Sequence, residues 1–578
     1  MSDGVKGDSY LSYEGVNASD GVGIGVARVA VEPDLSFTPH VPEDAQVEKD
    51  RYQAAVAKFI EQTNAQIERM TETVGPEAAA IMGAHIEFAE DDGIKEMVNN
   101  SIESGKCAEQ SVSEAYDMYY NMFSNMEDEL FRERAADVAD VKTGLLADLL
   151  GQELIDLSTL PENSVVVVHE LTPSMTADID KNNVVAIVTE TGGRTSHSAI
   201  IARALEIPAV LSVPDATKKI KTGDMVIVDG EKGKVVPTPD DRELRHYRAK
   251  AKQFAAEKAA LEAYRGQKTA TADGIEKLLV ANIGNPDDAN VAIEHDCEGV
   301  GLFRSEFLFM DAKELPSEDE QFAAYQKVAL AMKNQPVIIR TLDVGGDKEI
   351  PYLDLAKEEN PFLGYRAVRY CLANPDQYKV QLTALLRASA FGDIKIMVPL
   401  VTNLEEIRKV KDLVKECMAD LDARGVAYNK DIEIGTMIET PAASLIADDL
   451  AEECDFFSIG TNDLIGYTMC ADRGNDKVAY LYEAYQPAVI RSLKRIIEAG
   501  NKAGIMVGMC GEAAADPLLI PVLISFGLGE FSVSAPSILR TRRTISQWTK
   551  EEADVLAEKV VKLKTVTEVK AMLQAAVK

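Results

Sequence analysis

Eight short apolar segments, at 278–283, 299–303, 337–341, 394–400, 432–438, 456–459, 506–509 and 530–533, punctuate the second half of the chain, and amphipathic stretches separate most of them. Neighbouring parallel strands need a long crossover connection, usually a helix. Eight strand candidates alternating with helices is the count that closes a (β/α)8 barrel. That architecture constrains function as well as fold. Whatever follows each strand is delivered to the C-terminal face, where such barrels build their active sites.

The first half reads differently. Residues 20–31 mix glycine with β-branched side chains and predict one or two strands. From 45 to 150 the period becomes helical: Tyr52, Val56, Phe59, Ile60, Thr63, Ile67 and Met70 share one face, and amphipathic runs recur through 115–123 and 138–150. Strands return at 164–169, 184–189 and 225–229, around a helical run that opens at His197. The expected organisation is therefore multidomain α/β. A small β/α domain spans 1–44 and 151–238, with an all-helical subdomain inserted at 45–150. A charged, alanine-rich linker helix follows at 239–268, and the barrel occupies 269–578.

Charge and cysteine usage narrow the class. A formal net charge of −34 over 578 residues, spread along the chain, argues against nucleic-acid binding, which needs a basic patch. No apolar run approaches the roughly 18 residues of a membrane-spanning helix, and residues 1–8 are polar, without an apolar export segment. Seven scattered cysteines with no C-x-x-C pair predict reduced thiols and a cytoplasmic location.

Chemistry gathers at two places. Thr191-Gly192-Gly193-Arg194-Thr195-Ser196 leads into His197 at the mouth of a predicted helix. Free backbone N–H groups and the helix dipole favour an anion there, which suits an imidazole that carries a phosphoryl group. A histidine capping the helix, or buried with a satisfied hydrogen bond, is the competing reading. The second place is the set of strand ends in the barrel. Arg304 and Glu306 follow the second strand, Arg340 and Asp343 the third, and Glu439 the fifth. Asn462 and Asp463 follow the sixth, with Arg473 in the loop beyond, and Cys510 and Glu512 follow the seventh. Arg304, Arg340 and Arg473 suit the forked recognition of phosphate and carboxylate oxygens. Glu439 and Asp463 are enough to hold Mg²⁺ if a substrate supplies further oxygens. Asn462 can donate to a phosphate oxygen, and Cys510 can give or take one proton. Singly, each is an ordinary surface charge or a small buried residue. Converging from five strands, they fit a small anion bearing phosphate and carboxylate, and phosphoenolpyruvate is the natural candidate.

Taken in order, residues 192–197, 301–307, 340–347, 359–364, 460–463, 472–475 and 508–512, with 133–138 in the helical block, resemble the phosphoenolpyruvate–protein phosphotransferases, Enzyme I of the bacterial sugar phosphotransferase system. The resemblance runs from about residue 20 to 545. It implies a swivelling phosphohistidine domain carrying His197, and phosphoenolpyruvate binding by Arg304, Arg340, Asn462, Asp463 and Arg473. It also implies Mg²⁺ ligation by Glu439 and Asp463, and protonation of the enolpyruvate carbon by Cys510. The helical block would dock the histidine-containing phosphocarrier protein HPr, and the barrel would mediate a homodimer. One His197 cannot face the barrel and a docked carrier at once, so a domain rotation about the segments near 150 and 238–268 is expected.

Two residues depart from the family's pattern: Gly466 stands where glutamine is common, and Ser212 where glycine is common. The first eighteen residues extend past the usual start. A dikinase of related architecture would need a nucleotide-binding module, and no nucleotide-type glycine-rich loop is present. A regulatory paralogue shares the motifs, but commonly carries an added N-terminal sensory domain, so the transport role is preferred.

Overall fold

Two units divide the chain, Met1–Lys258 and Ala259–Lys578. The structure, a computed structural model, describes residues 12–578 apart from 31–34, 74–75, 125–128, 153–156, 158–159, 172–174, 176–178, 181, 194–196, 311, 313, 346–349, 354, 357, 473–474 and 476.

The first unit is organised around one sheet. Its strands are β1 (Tyr13–Glu14), β2 (Val16–Ser19), β3 (Val22–Val29), β4 (Ser164–Val168), β5 (Val184–Thr189), β6 (Ala209–Leu211), β7 (Met225–Asp229) and β8 (Lys234–Pro237), in the order β1-β8-β7-β3-β4-β5-β6-β2. The central run β3-β4-β5-β6 is parallel, and the flanking pairs are antiparallel. All five residues of β4 are buried, the mark of a strand covered on both faces. Val166, Val168 and Ile187 pack with Ala199 and Ala202 of the helix His197–Ala204 and with Leu205 just after it, while Val165, Val167, Ala186 and Val188 pack on the other side with Val226 and Val228. Glycine is required in β3: a Cβ at Gly23 would lie 2.2 Å from the Val185 carbonyl oxygen.

Five helices, Ala45–Thr73, Pro76–Glu90, Asp92–Glu103, Ala108–Ser124 and Glu129–Leu150, interrupt the sheet between β3 and β4. They bury a core of their own, in which Tyr52, Val56 and Phe59 meet Ile94, Val98, Val112, Tyr116, Val138 and Leu145. Sequence periodicity placed those first three residues on one face, and that face is the buried one. A helix over Asp241–Glu262 follows the sheet.

In the second unit β9 (Leu278–Ile283), β10 (Val300–Arg304), β11 (Val337–Arg340), β12 (Ile394–Val398), β13 (Ile434–Ile438), β14 (Phe456–Ile459), β15 (Met506–Met509) and β16 (Glu530–Val533) close a barrel, β16 pairing with β9. Every pairing is parallel. All eight expected strands are present. Leu302, Ile338, Met397, Met437, Phe456 and Cys510 fill the interior, while alternate residues such as Ile339, Ile396 and Ile438 pack outward against the helices. Capping boxes start the helices Glu318–Met332 (Ser317 with Glu320) and Leu404–Arg424 (Asn403 with Glu406).

Candidate active site

A cavity of about 310 Å³ opens in the second unit, lined by residues from the ends of five barrel strands. Arg304 ends β10 and Arg340 ends β11; Glu439 follows β13 directly. Asn462 and Asp463 lie in the first turn of the helix Thr461–Met469 after β14, and Cys510 follows β15. The fold thus brings together six of the residues singled out from sequence. Arg473 lies outside the described residues.

Charge in this cavity is tightly paired. Arg340 bonds to Glu306, and its Nη1 lies 3.2 Å from Asp343 Oδ2. Burial works against the Arg340 charge, but Glu306 and Asp343 outweigh it and raise its pKa. Arg366 was not singled out from sequence. Its Nη2 donates to Asp343 Oδ1 at 2.9 Å and sits 3.1 Å from Asp463 Oδ2, while its Nη1 donates to the Tyr467 hydroxyl at 3.3 Å. The only signal for it was adjacency: it stands two residues beyond the motif at 359–364.

Glu439 is 3% exposed and accepts a hydrogen bond from the Leu400 amide at 2.6 Å. Burial, then the nearby Asp463 and Asp343, push its pKa up to about 8. Arg304, Arg340 and Arg366 face Glu306, Asp343, Glu439, Asp463 and Glu512 around the cavity. Among the described residues carboxylates therefore outnumber guanidinium groups, and an anionic substrate would need a cation with it. The carboxylates offer oxygen donors, which suit a hard dication such as Mg²⁺. Among the described residues no cluster of three or more His, Cys, Asp or Glu side chains has metal-holding geometry, so Glu439 and Asp463 would share such an ion with oxygens of the substrate.

Cys510 is buried on the cavity wall, its Sγ 3.7 Å from the Ile459 carbonyl oxygen. Burial pushes the thiol up to about 11, against the opposing pull of Ser458 and Arg340. At neutral pH it is a protonated thiol, able to act as an acid.

The other predicted centre lies in the first unit. The helix His197–Ala204 opens at His197, as the sequence suggested; the His197 side chain and residues 194–196 lie outside the description. Around it the loops are well tied. Ser198 Oγ donates to the Leu171 carbonyl at 3.0 Å, and Ser212 Oγ donates to the Gly192 carbonyl at 2.8 Å. Glu190 bonds His169 Nδ1 at 2.7 Å and accepts from the Thr217 amide at 2.8 Å. Burial works against its charge, but Thr217 and His169 prevail and bring its pKa down to about 2.

Three family profiles match in order: PEP-utilising enzyme, N-terminal, over 14–134; PEP-utilising enzyme, mobile domain, over 160–233; and PEP-utilising enzyme, PEP-binding domain, over 258–550. A phosphoenolpyruvate-protein phosphotransferase of Bacillus sp. (strain S) is 46% identical over 96% of this chain and 97% of its own length. The protein of that name from Geobacillus stearothermophilus is 45% identical over the same shares, and that from Streptococcus equinus is 46% identical over 92% of each chain. No described helix is long and apolar enough to cross a membrane.

Proposed function

The chain belongs to the phosphoenolpyruvate–protein phosphotransferase family, and from that membership we propose that it moves the phosphoryl group of phosphoenolpyruvate to His197 and then to the histidine of HPr. Pyruvate is released, and the transfer is the first step of the sugar phosphotransferase system. The observation that carries this reading is the cavity at the barrel's C-terminal end, where Arg304, Arg340, Glu439, Asn462, Asp463 and Cys510 converge.

In this reading Arg304, Arg340 and Arg473 hold the phosphate and carboxylate oxygens, and Asn462 donates to a phosphate oxygen. Glu439 and Asp463 would hold Mg²⁺, which would supply charge neutralisation for an anionic substrate. Phosphoryl transfer has a loose transition state, so positioning and charge neutralisation account for most of the catalysis. A neutral imidazole at His197 attacks the phosphorus in line, and enolpyruvate departs. The Cys510 thiol then gives its proton to the methylene carbon, and pyruvate forms.

The division of labour follows the expected domains. The β/α domain at 1–44 and 151–238 carries His197 and swivels about the segments near 150 and 239–268. The helices at 45–150 dock HPr, and the barrel at 269–578 binds substrate and pairs two copies of the chain. All seven cysteines are free, in keeping with work in the cytoplasm.

The test is direct. Protein is mixed with phosphoenolpyruvate labelled in its phosphoryl group, with and without Mg²⁺. Label should remain on the protein as an acid-labile, base-stable adduct that needs metal and disappears in His197→Ala. Folded, metal-supplied protein that takes up no label would overturn the assignment.

A further inference from the structure

Gln381 is buried on the helix Pro375–Ala388 and does not line the cavity described above, yet both ends of its amide reach segments that do. Its Oε1 accepts from the Leu342 amide at 2.9 Å. Its Nε2 donates to Ser305 Oγ at 3.0 Å and to the Tyr325 hydroxyl at 3.1 Å. Ser305 Oγ in turn donates to the Arg340 carbonyl at 2.6 Å. A buried amide is costly unless such bonds are made, and this one makes them towards two strand ends at once.

Backbone groups fix the direction of the chain. The Leu342 N–H can only donate, so the amide turns its oxygen there and its nitrogen towards Ser305. The Arg340 carbonyl can only accept, so Ser305 spends its one proton on it and accepts from Gln381. Ser305 stands between Arg304 and Glu306 at the end of β10, and Leu342 stands beside Asp343 beyond β11. Arg304, Glu306, Arg340 and Asp343 all line the cavity. Tyr378, one turn earlier on the same helix, donates to Thr341 Oγ1 at 3.2 Å, a second hold on the end of β11. The other arm of the amide leads elsewhere. Tyr325 donates to Gln321 Oε1 at 3.2 Å, and Gln321 Nε2 donates to the Pro316 carbonyl at 2.9 Å, none of them cavity-lining.

We propose that Gln381 is a positioning residue for phosphotransfer: it holds the end of β10 against the end of β11, and so sets Arg304 and Glu306 against Arg340 and Asp343. The inference rests on the reading that Arg304 and Arg340 hold phosphoenolpyruvate. Gln381 acts through Ser305 and the Leu342 amide, without touching substrate. A loose phosphoryl-transfer transition state depends on such placement, and a shift of about 1 Å costs on the order of 100-fold.

The experiment follows phosphoenzyme formation by rapid quench in the full chain, with Mg²⁺ and labelled phosphoenolpyruvate, below each variant's melting transition. Methionine matches glutamine in length and makes none of its bonds. The rate at saturating substrate should fall by about 10–100-fold in Gln381→Met and by about tenfold in Ser305→Ala, each by more than KM rises. The double variant should be no more than about twofold slower than Gln381→Met, because both changes break one chain. Tyr325→Phe cuts only the arm that leads away, so it should melt earlier than the parent and keep the parent's rate. Ser305→Ala removes a single hydroxyl and decides the matter if Gln381→Met does not fold. A parent rate in either folded variant overturns the positioning role. Slowing in Tyr325→Phe as large as in Ser305→Ala would mean a general loosening of the core and also overturns it. Absence of phosphoenzyme in the parent protein would instead sink the phosphotransfer reading, and this inference with it.

Discussion

The Ser212 hydroxyl donates to the Gly192 carbonyl at 2.8 Å, fastening the residue after β6 to the glycine-rich turn that precedes His197. Ser212 does this at φ 55, in the left-handed region where a side chain costs about 1–2 kcal/mol and glycine costs little. The departure from the family's glycine thus exchanges backbone comfort for a tie across the loop. Ser212→Ala keeps the strain and loses the tie; Ser212→Gly loses both. Thermal unfolding of the full chain should rank Ser212→Ala below Ser212→Gly by about 1 kcal/mol. Equal melting of the two variants would mean that the left-handed backbone is not strained.

Arg366 holds two carboxylates with one nitrogen, Asp343 at 2.9 Å and Asp463 at 3.1 Å. Its other nitrogen, Nη1, donates to the Tyr467 hydroxyl at 3.3 Å, and lysine, with a single nitrogen, cannot make both sets of contacts. Arg366→Met should lower unfolding stability at pH 7 by about 3–5 kcal/mol, because buried carboxylates lose their counter-ion. Arg366→Lys should restore only part of that loss. Phosphoenzyme formation should fall by about 100-fold in both, since the two aspartates lose their shared anchor. Full activity in Arg366→Lys would reduce Arg366 to a source of charge.

What was legible in the sequence follows from how each feature is encoded. The barrel strands are apolar runs bounded by amphipathic helices, and Arg304, Arg340, Glu439, Asn462, Asp463 and Cys510 come directly after them, so strand position alone locates them. β1, β2, β6 and β8 have two to four residues, too few to show a period. Their existence depends on distant partners, such as Leu211 opposite Val16. Arg366 was missed because it follows the short turn of helix Pro361–Leu363 rather than a strand, and only folding sets it against Asp343 and Asp463. Gln381 was missed because it lies within a helix, where a glutamine reads as part of the solvated face.

Cys510 has its thiol pushed up to about 11, so at pH 7 it is the acid form. Replacing it with alanine removes the proton donor while leaving Arg304 and Arg340 to bind substrate. Pyruvate formation should slow by about 10²–10⁴-fold with little change in KM. Rapid quench of labelled phosphoenolpyruvate separates the steps: phosphoenzyme should appear ahead of pyruvate. A variant in which only KM rises would make Cys510 a wall of the cavity.

Glu530, the first residue of β16, is buried in the barrel and makes a prediction about stability, with a sign fixed by its environment. Its pKa is raised from 4.5 to about 7 by burial, so the folded chain binds this proton more tightly than the unfolded chain. Its favourable contribution is complete below about pH 4.5 and is lost as pH climbs through about 7. Glutamine cannot ionise, so Glu530→Gln removes that loss. Relative to its standing at pH 4.5, the variant should gain on the parent by on the order of 2–3 kcal/mol at pH 8. Urea unfolding of the full chain, followed through the barrel's transition at both pH values, measures this directly. Any constant offset from the new amide cancels in the comparison. A stability difference that stays the same from pH 4.5 to pH 8 would mean that Glu530 does not change its protonation on folding.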